Sequence, residues 1–159
     1  MNSLSVLLSF LVALLLSSLP LPDIAIIYRP EWLMLVLIYW CMAFPDRIGI
    51  FTGWLLGLVL DVMYGSLLGQ NAMALAIVAY LVNLFHLRVR VFPLWQQSFI
   101  VLLMGIINLT LNAWVRGITG EFSISWSYWM PALTSALIWP LVYIVLRDMR
   151  RQRVSSRDL

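Results

Sequence analysis

Gly53-Trp-Leu-Leu-Gly57-Leu-Val-Leu-Asp61-Val-Met-Tyr-Gly65-Ser-Leu-Leu-Gly69 is an apolar run with a glycine or an acid at every fourth position. Four residues carry a helix through about 400°, so each of these positions drifts only ~40° from the one before. Gly53, Gly57, Asp61, Gly65 and Gly69 therefore read as one face, a groove of missing side chains holding one carboxylate. In lipid, small residues at this spacing let a second helix approach closely. An acid among apolar residues there needs a partner or a purpose. The stretch predicts a membrane helix built for close packing.

The rest of the chain agrees with a lipid solvent. Of 159 residues, 63% are hydrophobic and 11% charged, and the mean hydropathy is +0.96. A soluble domain of this size could not hide that much apolar surface. The apolar runs are continuous, without the alternation of a barrel strand, so helices are the expected spanning element.

Span one is read as Leu4–Leu19, ended by Pro20-Leu-Pro22-Asp23. It lacks the basic start and small-residue cleavage site of a secretory signal and is kept as a mature helix. Ile24–Tyr28 is too brief to cross. Span two opens at Arg29-Pro30-Glu31-Trp32 and runs to Phe44, with Pro30 suited to a first helical turn and Glu31 to the positive end of the dipole. Its roughly 15 residues rise only ~22 Å, short for a ~30 Å hydrocarbon core, so that either Ile24–Tyr28 completes the crossing or the bilayer thins locally. Span three is Ile48 to about Tyr64, followed by a tight turn over Gly65–Asn71. Span four is Ala72–Phe85, with Ala72, Ala76, Ala79 and Asn83 forming a second close-packing side. His86–Pro93 reads as a basic loop. Span five is Leu94–Val115, with Gly105, Asn108, Asn112 and Arg116 in one stripe. Gly117–Ser127 is the longest connection. Span six is Tyr128–Leu146, where Pro131 and Pro140 predict a kinked or broken helix.

This gives an all-α integral membrane protein with six transmembrane helices. Residues 1–146 form a single domain and 147–159 a basic tail. All ten basic residues are arginine. Arg47, Arg88, Arg90 and the tail's Arg147, Arg150, Arg151, Arg153 and Arg157 fall on one side, and only Arg29 and Arg116 on the other. The positive-inside rule then puts both termini in the cytoplasm. Trp32, Trp95, Trp114, Trp126 and Trp129 sit near the predicted interfaces, as aromatic belts do. The basic tail suits topology and anionic headgroups rather than nucleic acid.

With Arg47 at the inner surface, Asp61 lies ~21 Å along its helix, in the outer half of the bilayer. Asn108 and Asn112 reach a similar depth. Asp61 is thus expected to meet Arg29 or Arg116, or to hydrogen-bond with Asn108 and Asn112. It reads either as a structural polar group holding helices together, as part of a partner interface, or as a relay. The glycine face likewise reads as internal packing or as a docking surface. The lone Cys41 excludes an internal disulfide, and with the single His86 it cannot build the usual zinc site. No nucleophile stands beside a base, and no phosphate-binding loop or carboxylate cluster is present. Neither an enzyme nor a cofactor is expected.

The order of these features resembles the bacterial rod-shape-determining MreD family. The likeness is carried by Arg29-Pro30-Glu31-Trp32 with the Leu35–Trp40 run, and by the Gly53 to Gly69 core with Asp61 in Gly57-Leu-Val-Leu-Asp61. Leu94-Trp95-Gln96-Gln97 and Leu137-Ile138-Trp139-Pro140 complete it, so that it covers nearly the whole chain. The resemblance implies a non-catalytic subunit in the bacterial inner membrane, part of the machinery that elongates rod-shaped cells. It implies a bitopic MreC-like partner, the elongation glycosyltransferase and transpeptidase, and indirectly an MreB-like cytoskeleton. It also implies a fold similar to the S components of energy-coupling-factor transporters, and hence an alternative function as a small-solute-binding subunit.

Overall fold

The computed structural model describes residues 3–19, 22, 28–65, 67–120 and 125–155. Among the described residues six α-helices follow one another: α1 (Ser3–Ser18), α2 (Trp32–Ala43), α3 (Ile50–Tyr64), α4 (Gln70–Val91), α5 (Leu94–Thr119) and α6 (Met130–Ser155), the last entered through a 3-10 turn at Trp126–Trp129. Among the described residues there is no strand. Gln70–Val91, Leu94–Thr119 and Trp126–Gln152 are long and apolar enough to cross a membrane, and the other three helices are shorter but also apolar.

The centre of the molecule is α2. Every residue from Leu33 to Met42 is buried, and α1, α4, α5 and α6 all pack against it. A helix apolar on every side has no solvent or headgroup face and belongs inside a core. Its 12 residues rise only about 18 Å. Aromatic packing fixes its lower half: Tyr39 meets Tyr143 edge-on at 5.6 Å, and the Trp40 indole N–H donates to Ser9 Oγ at 2.8 Å.

The tightest pairing is α3 against α4. A methyl group on Gly57 would come within 2.3 Å of the Ala72 Cα, and one on Gly53 within 2.8 Å of the Leu75 carbonyl oxygen and 3.2 Å of the Ala79 Cβ. Backbone therefore packs on backbone, and the expected alanine side of α4 is the mate of the glycine face. Gly65 and Gly69 do something else. Both have positive φ, 64° and 99°, and a side chain on either would meet nothing within 4 Å. They are the left-handed residues that end α3 and begin α4, a backbone state that favours glycine. The fourfold spacing thus joins two packing glycines to two turn glycines, and the groove is shorter than the sequence predicts.

Several boundaries also move. The expected basic loop at His86–Pro93 is mostly the end of α4, which runs to Val91. Arg88 and Arg90 lie in its last turn, where cations favour the helix dipole. Helix α5 continues past Val115 to Thr119. Helix α6 is unbroken through Pro140 and continues into the basic tail as far as Ser155, so the expected break is absent. Pro131 sits in the first turn of α6, where a missing N–H costs no internal hydrogen bond. Pro30 lies just ahead of α2 rather than in its first turn. Asp23, residues 24–27, Glu121 and Arg157 lie outside the described residues.

Candidate functional site

Asp61 lies in the last turn of α3 and is 1% exposed. Its carboxylate turns toward the start of the next helix. Oδ2 accepts the Gly69 N–H at 2.9 Å and the Ala72 N–H at 3.5 Å. Oδ1 accepts from both the backbone and the side-chain nitrogen of Asn71, each at 2.9 Å. The first N–H groups of a helix lack internal partners and carry the positive end of its dipole. A carboxylate borrowed from the preceding helix satisfies both conditions and locks the hairpin. These bonds come from the adjoining turn and the start of α4, a set of donors that the sequence does not single out.

The α5 stripe is used, but for a different acid. Asn108 Nδ2 donates to Glu31 Oε1 at 2.8 Å. Asn112 Nδ2 donates back to the Asn108 carbonyl at 2.9 Å, and Asn112 Oδ1 accepts from Gln70 Nε2 at 3.0 Å. Gln70 is the first residue of α4, so the chain of bonds ends beside the Asp61 latch. The Glu31 backbone N–H donates to Ser135 Oγ at 2.9 Å, tying the start of α2 to α6. Gly105 leaves the space for this: a methyl group there would lie 3.1 Å from the Ala132 Cβ and 3.5 Å from Glu31 Oε2. Polar groups from α2, α4, α5 and α6 thus converge at the end of the molecule opposite the arginine-rich one.

They line a cavity of about 280 Å³, walled in part by Arg29, Glu31, Asn71, Asn108, Asn112 and Arg116. Arg29 donates to the carbonyls of Leu19 and Leu16 at 2.5 and 3.3 Å, which caps α1, and its Nε is buried without a partner. Glu31 Oε2 is likewise buried with no hydrogen-bond partner. The lining therefore offers amides, one acid and two guanidinium groups, which suits binding and positioning. Among the described residues no three of His, Cys, Asp and Glu come together as metal ligands.

Glu31 is the site residue whose buried partner the sequence does not reveal, its position reading as favourable for the helix dipole. Its partner lies 77 residues away, beyond the reach of any local pattern. The usable signal was the amide stripe on α5, which needed a facing polar group.

The motifs behind the family resemblance also meet in space. Gln97 Oε1 accepts the Trp139 indole N–H at 3.2 Å, while its Nε2 donates to the Val89 and Phe92 carbonyls at 3.1 and 3.2 Å. One buried amide thus joins α4, α5 and α6 at the arginine-rich end.

A family model described as rod shape-determining protein MreD matches residues 1–149. The chain is 34% identical over 143 residues to the rod shape-determining protein MreD of Haemophilus influenzae, covering 90% of this chain and 88% of that one. No solved structure matches the chain.

Proposed function

The chain belongs to the MreD family of rod shape-determining proteins, and on that premise we propose that it is a non-catalytic scaffold in the bacterial inner membrane. In this reading the chain crosses the bilayer six times, with both termini in the cytoplasm. The protein binds a bitopic MreC-like partner and so regulates peptidoglycan synthesis by an elongation glycosyltransferase and transpeptidase, with an MreB-like cytoskeleton engaged indirectly. The family match over nearly the whole chain carries the proposal. The use of Gly53 and Gly57 inside the α3–α4 hairpin adds a constraint, since it leaves the outward helix surfaces for a partner's transmembrane helix.

Asp61, Gln70, Asn108, Asn112 and Glu31 serve this reading as the rigid outer end of the scaffold. The test is depletion in a rod-shaped host, with co-purification of an MreC-like protein from detergent extracts. Loss of rod shape and recovery of the partner are expected. A depleted host that keeps its width and shape refutes the proposal.

A second reading has one specific observation behind it, the polar cavity of about 280 Å³. If the fold is similar to energy-coupling-factor S components, that cavity is where a solute would sit. It falls just below the ~300–1,000 Å³ usual for small-molecule sites. Mass spectrometry of the purified protein distinguishes the readings: a stoichiometric small ligand favours the second, and its absence the first.

A further inference from the structure

A second, separate polar pocket of about 170 Å³ lies at the arginine-rich end. It is lined by Tyr39, Met42, Ala43, Arg90, Gln97, Tyr143 and Arg150, none of them acidic. Arg90 reaches across from α4 to the last carbonyls of α2, those of Met42 and Ala43. Arg150 stacks over the Tyr39 ring, 5.9 Å from its centroid. The Tyr39 hydroxyl is the unexplained group. Tyr39 is 3% exposed, and its oxygen is buried without a hydrogen-bond partner. An orphaned hydroxyl on a buried wall is destabilising unless something fills the space and accepts from it. Beside two guanidinium groups, the complement is an anionic oxygen acceptor. Arginine's forked donors suit a phosphate in particular.

The neighbouring cavity says what carries that phosphate. An apolar space of about 220 Å³ shares Met42 and Gln97 as walls with the polar one, and is otherwise lined by residues such as Leu81, Phe85, Leu103 and Met104. Gln97 turns its amide to Trp139, Val89 and Phe92 and makes no hydrogen bond to the Tyr39 hydroxyl. A cationic pocket next to an apolar slot, at the end of a helix bundle, matches one molecule in two parts. We propose that this is a binding site for an anionic phospholipid, with its phosphate held by Arg90, Arg150 and the Tyr39 hydroxyl and part of an acyl chain in the apolar slot. Basic pockets between membrane helices are known sites for such headgroups. The polar volume is roughly six times the ~30 Å³ share of one water, room for a phosphate and a small ester group. It is too small for a nucleotide.

The test is native mass spectrometry of the full-length protein, titrated with phosphatidylglycerol, phosphatidylcholine or soluble glycerol phosphate. One phosphatidylglycerol should be retained in preference to phosphatidylcholine. Arg150→Gln should weaken it roughly fivefold, the share of one basic residue near an anionic surface. Arg150 is exposed, so this variant leaves the fold alone, whereas Arg90 also holds the end of α2. Tyr39→Phe should weaken the lipid as well, without loss of thermal stability. Leu103→Trp, at a partly exposed position on the apolar slot, should weaken lipid and leave glycerol phosphate unchanged. Equal retention of phosphatidylglycerol by wild type and Arg150→Gln overturns the site. Glycerol phosphate binding as tightly as the lipid overturns the lipid as its source.

Discussion

Gly57→Ala adds one methyl group where the structure has no room for it. The new Cβ would lie 2.3 Å from the Ala72 Cα, 2.4 Å from its nitrogen and 2.5 Å from the Asn71 carbonyl oxygen. All three are backbone atoms, so no side-chain rotation relieves the contact. Restoring ordinary separation requires the start of α4 to retreat by about 1 Å. That movement falls on the segment that Asp61 holds. Bonds of 2.9 Å from Gly69 and Asn71 would stretch to ~4 Å, outside hydrogen-bond range. Losing one or two charge-assisted bonds at about 1.5–3 kcal/mol each outweighs the ~1 kcal/mol that alanine gains over glycine as a helix former. The expected net loss is about 2–4 kcal/mol, a drop in Tm of at least ~5 °C. The assay is thermal unfolding of the purified protein in detergent, with Gly117→Ala as the companion. Gly117 is also helical, but a methyl there meets nothing within 4 Å, so that variant should match or exceed wild type by up to ~1 kcal/mol. Gly53→Ala, with a closest contact of 2.8 Å, should fall between them. A Gly57→Ala protein as stable as Gly117→Ala would refute the close-packed hairpin.

Other outcomes test the rest of the outer end. Asn108→Ala removes the donor to Glu31 and should destabilise by ~2–4 kcal/mol, while Glu31→Gln in the same background should recover part of it; equal or greater loss in the double variant would deny the coupling. Asp61→Asn turns a two-oxygen acceptor into one that presents an N–H toward backbone donors, and should cost ~1–3 kcal/mol. Unchanged stability, assembly and cell shape would remove Asp61 from any role. For topology, Ile118 and Val91 are 85% and 77% exposed at opposite ends, and the native Cys41 is fully buried. In intact spheroplasts a membrane-impermeant maleimide should label Ile118→Cys, and should label Val91→Cys only after permeabilisation. The reverse pattern would invert the proposed orientation.

The helical fold was legible because apolar runs and proline or glycine punctuation are local signals. Helices α1, α3 and the start of α5 fall within two residues of their expected positions for that reason. What spacing could not separate was glycine in a helix from glycine in a turn. Gly57 and Gly65 are identical as letters, and only backbone φ distinguishes them. The central place of α2 was hidden too, since a buried post and a lipid-facing span present the same uninterrupted run of apolar residues. An acid in an apolar run signals a need for partners, but spacing does not reveal that the adjoining turn supplies donors. The polar stripe on α5 is visible as a helical period, whereas the acid it serves is not, because that contact spans 77 residues.

The enclosure of α2 also has a consequence for how the protein is made. Its 12 residues are too short for a ~30 Å hydrocarbon layer, a mismatch that ordinarily thins the bilayer or tilts a helix. In the finished protein α2 meets other helices rather than lipid, so the mismatch vanishes. During synthesis, however, α4, α5 and α6 emerge after it, and until they arrive the nascent chain carries an undersized segment without its coat. In the proposed six-span arrangement the half-made protein would then be the vulnerable form, dependent on the insertion machinery to shelter α2 and open to membrane proteases if synthesis stalls. Substitutions in α4 to α6 that delay wrapping would lower the amount of protein in the cell even where the completed molecule is sound.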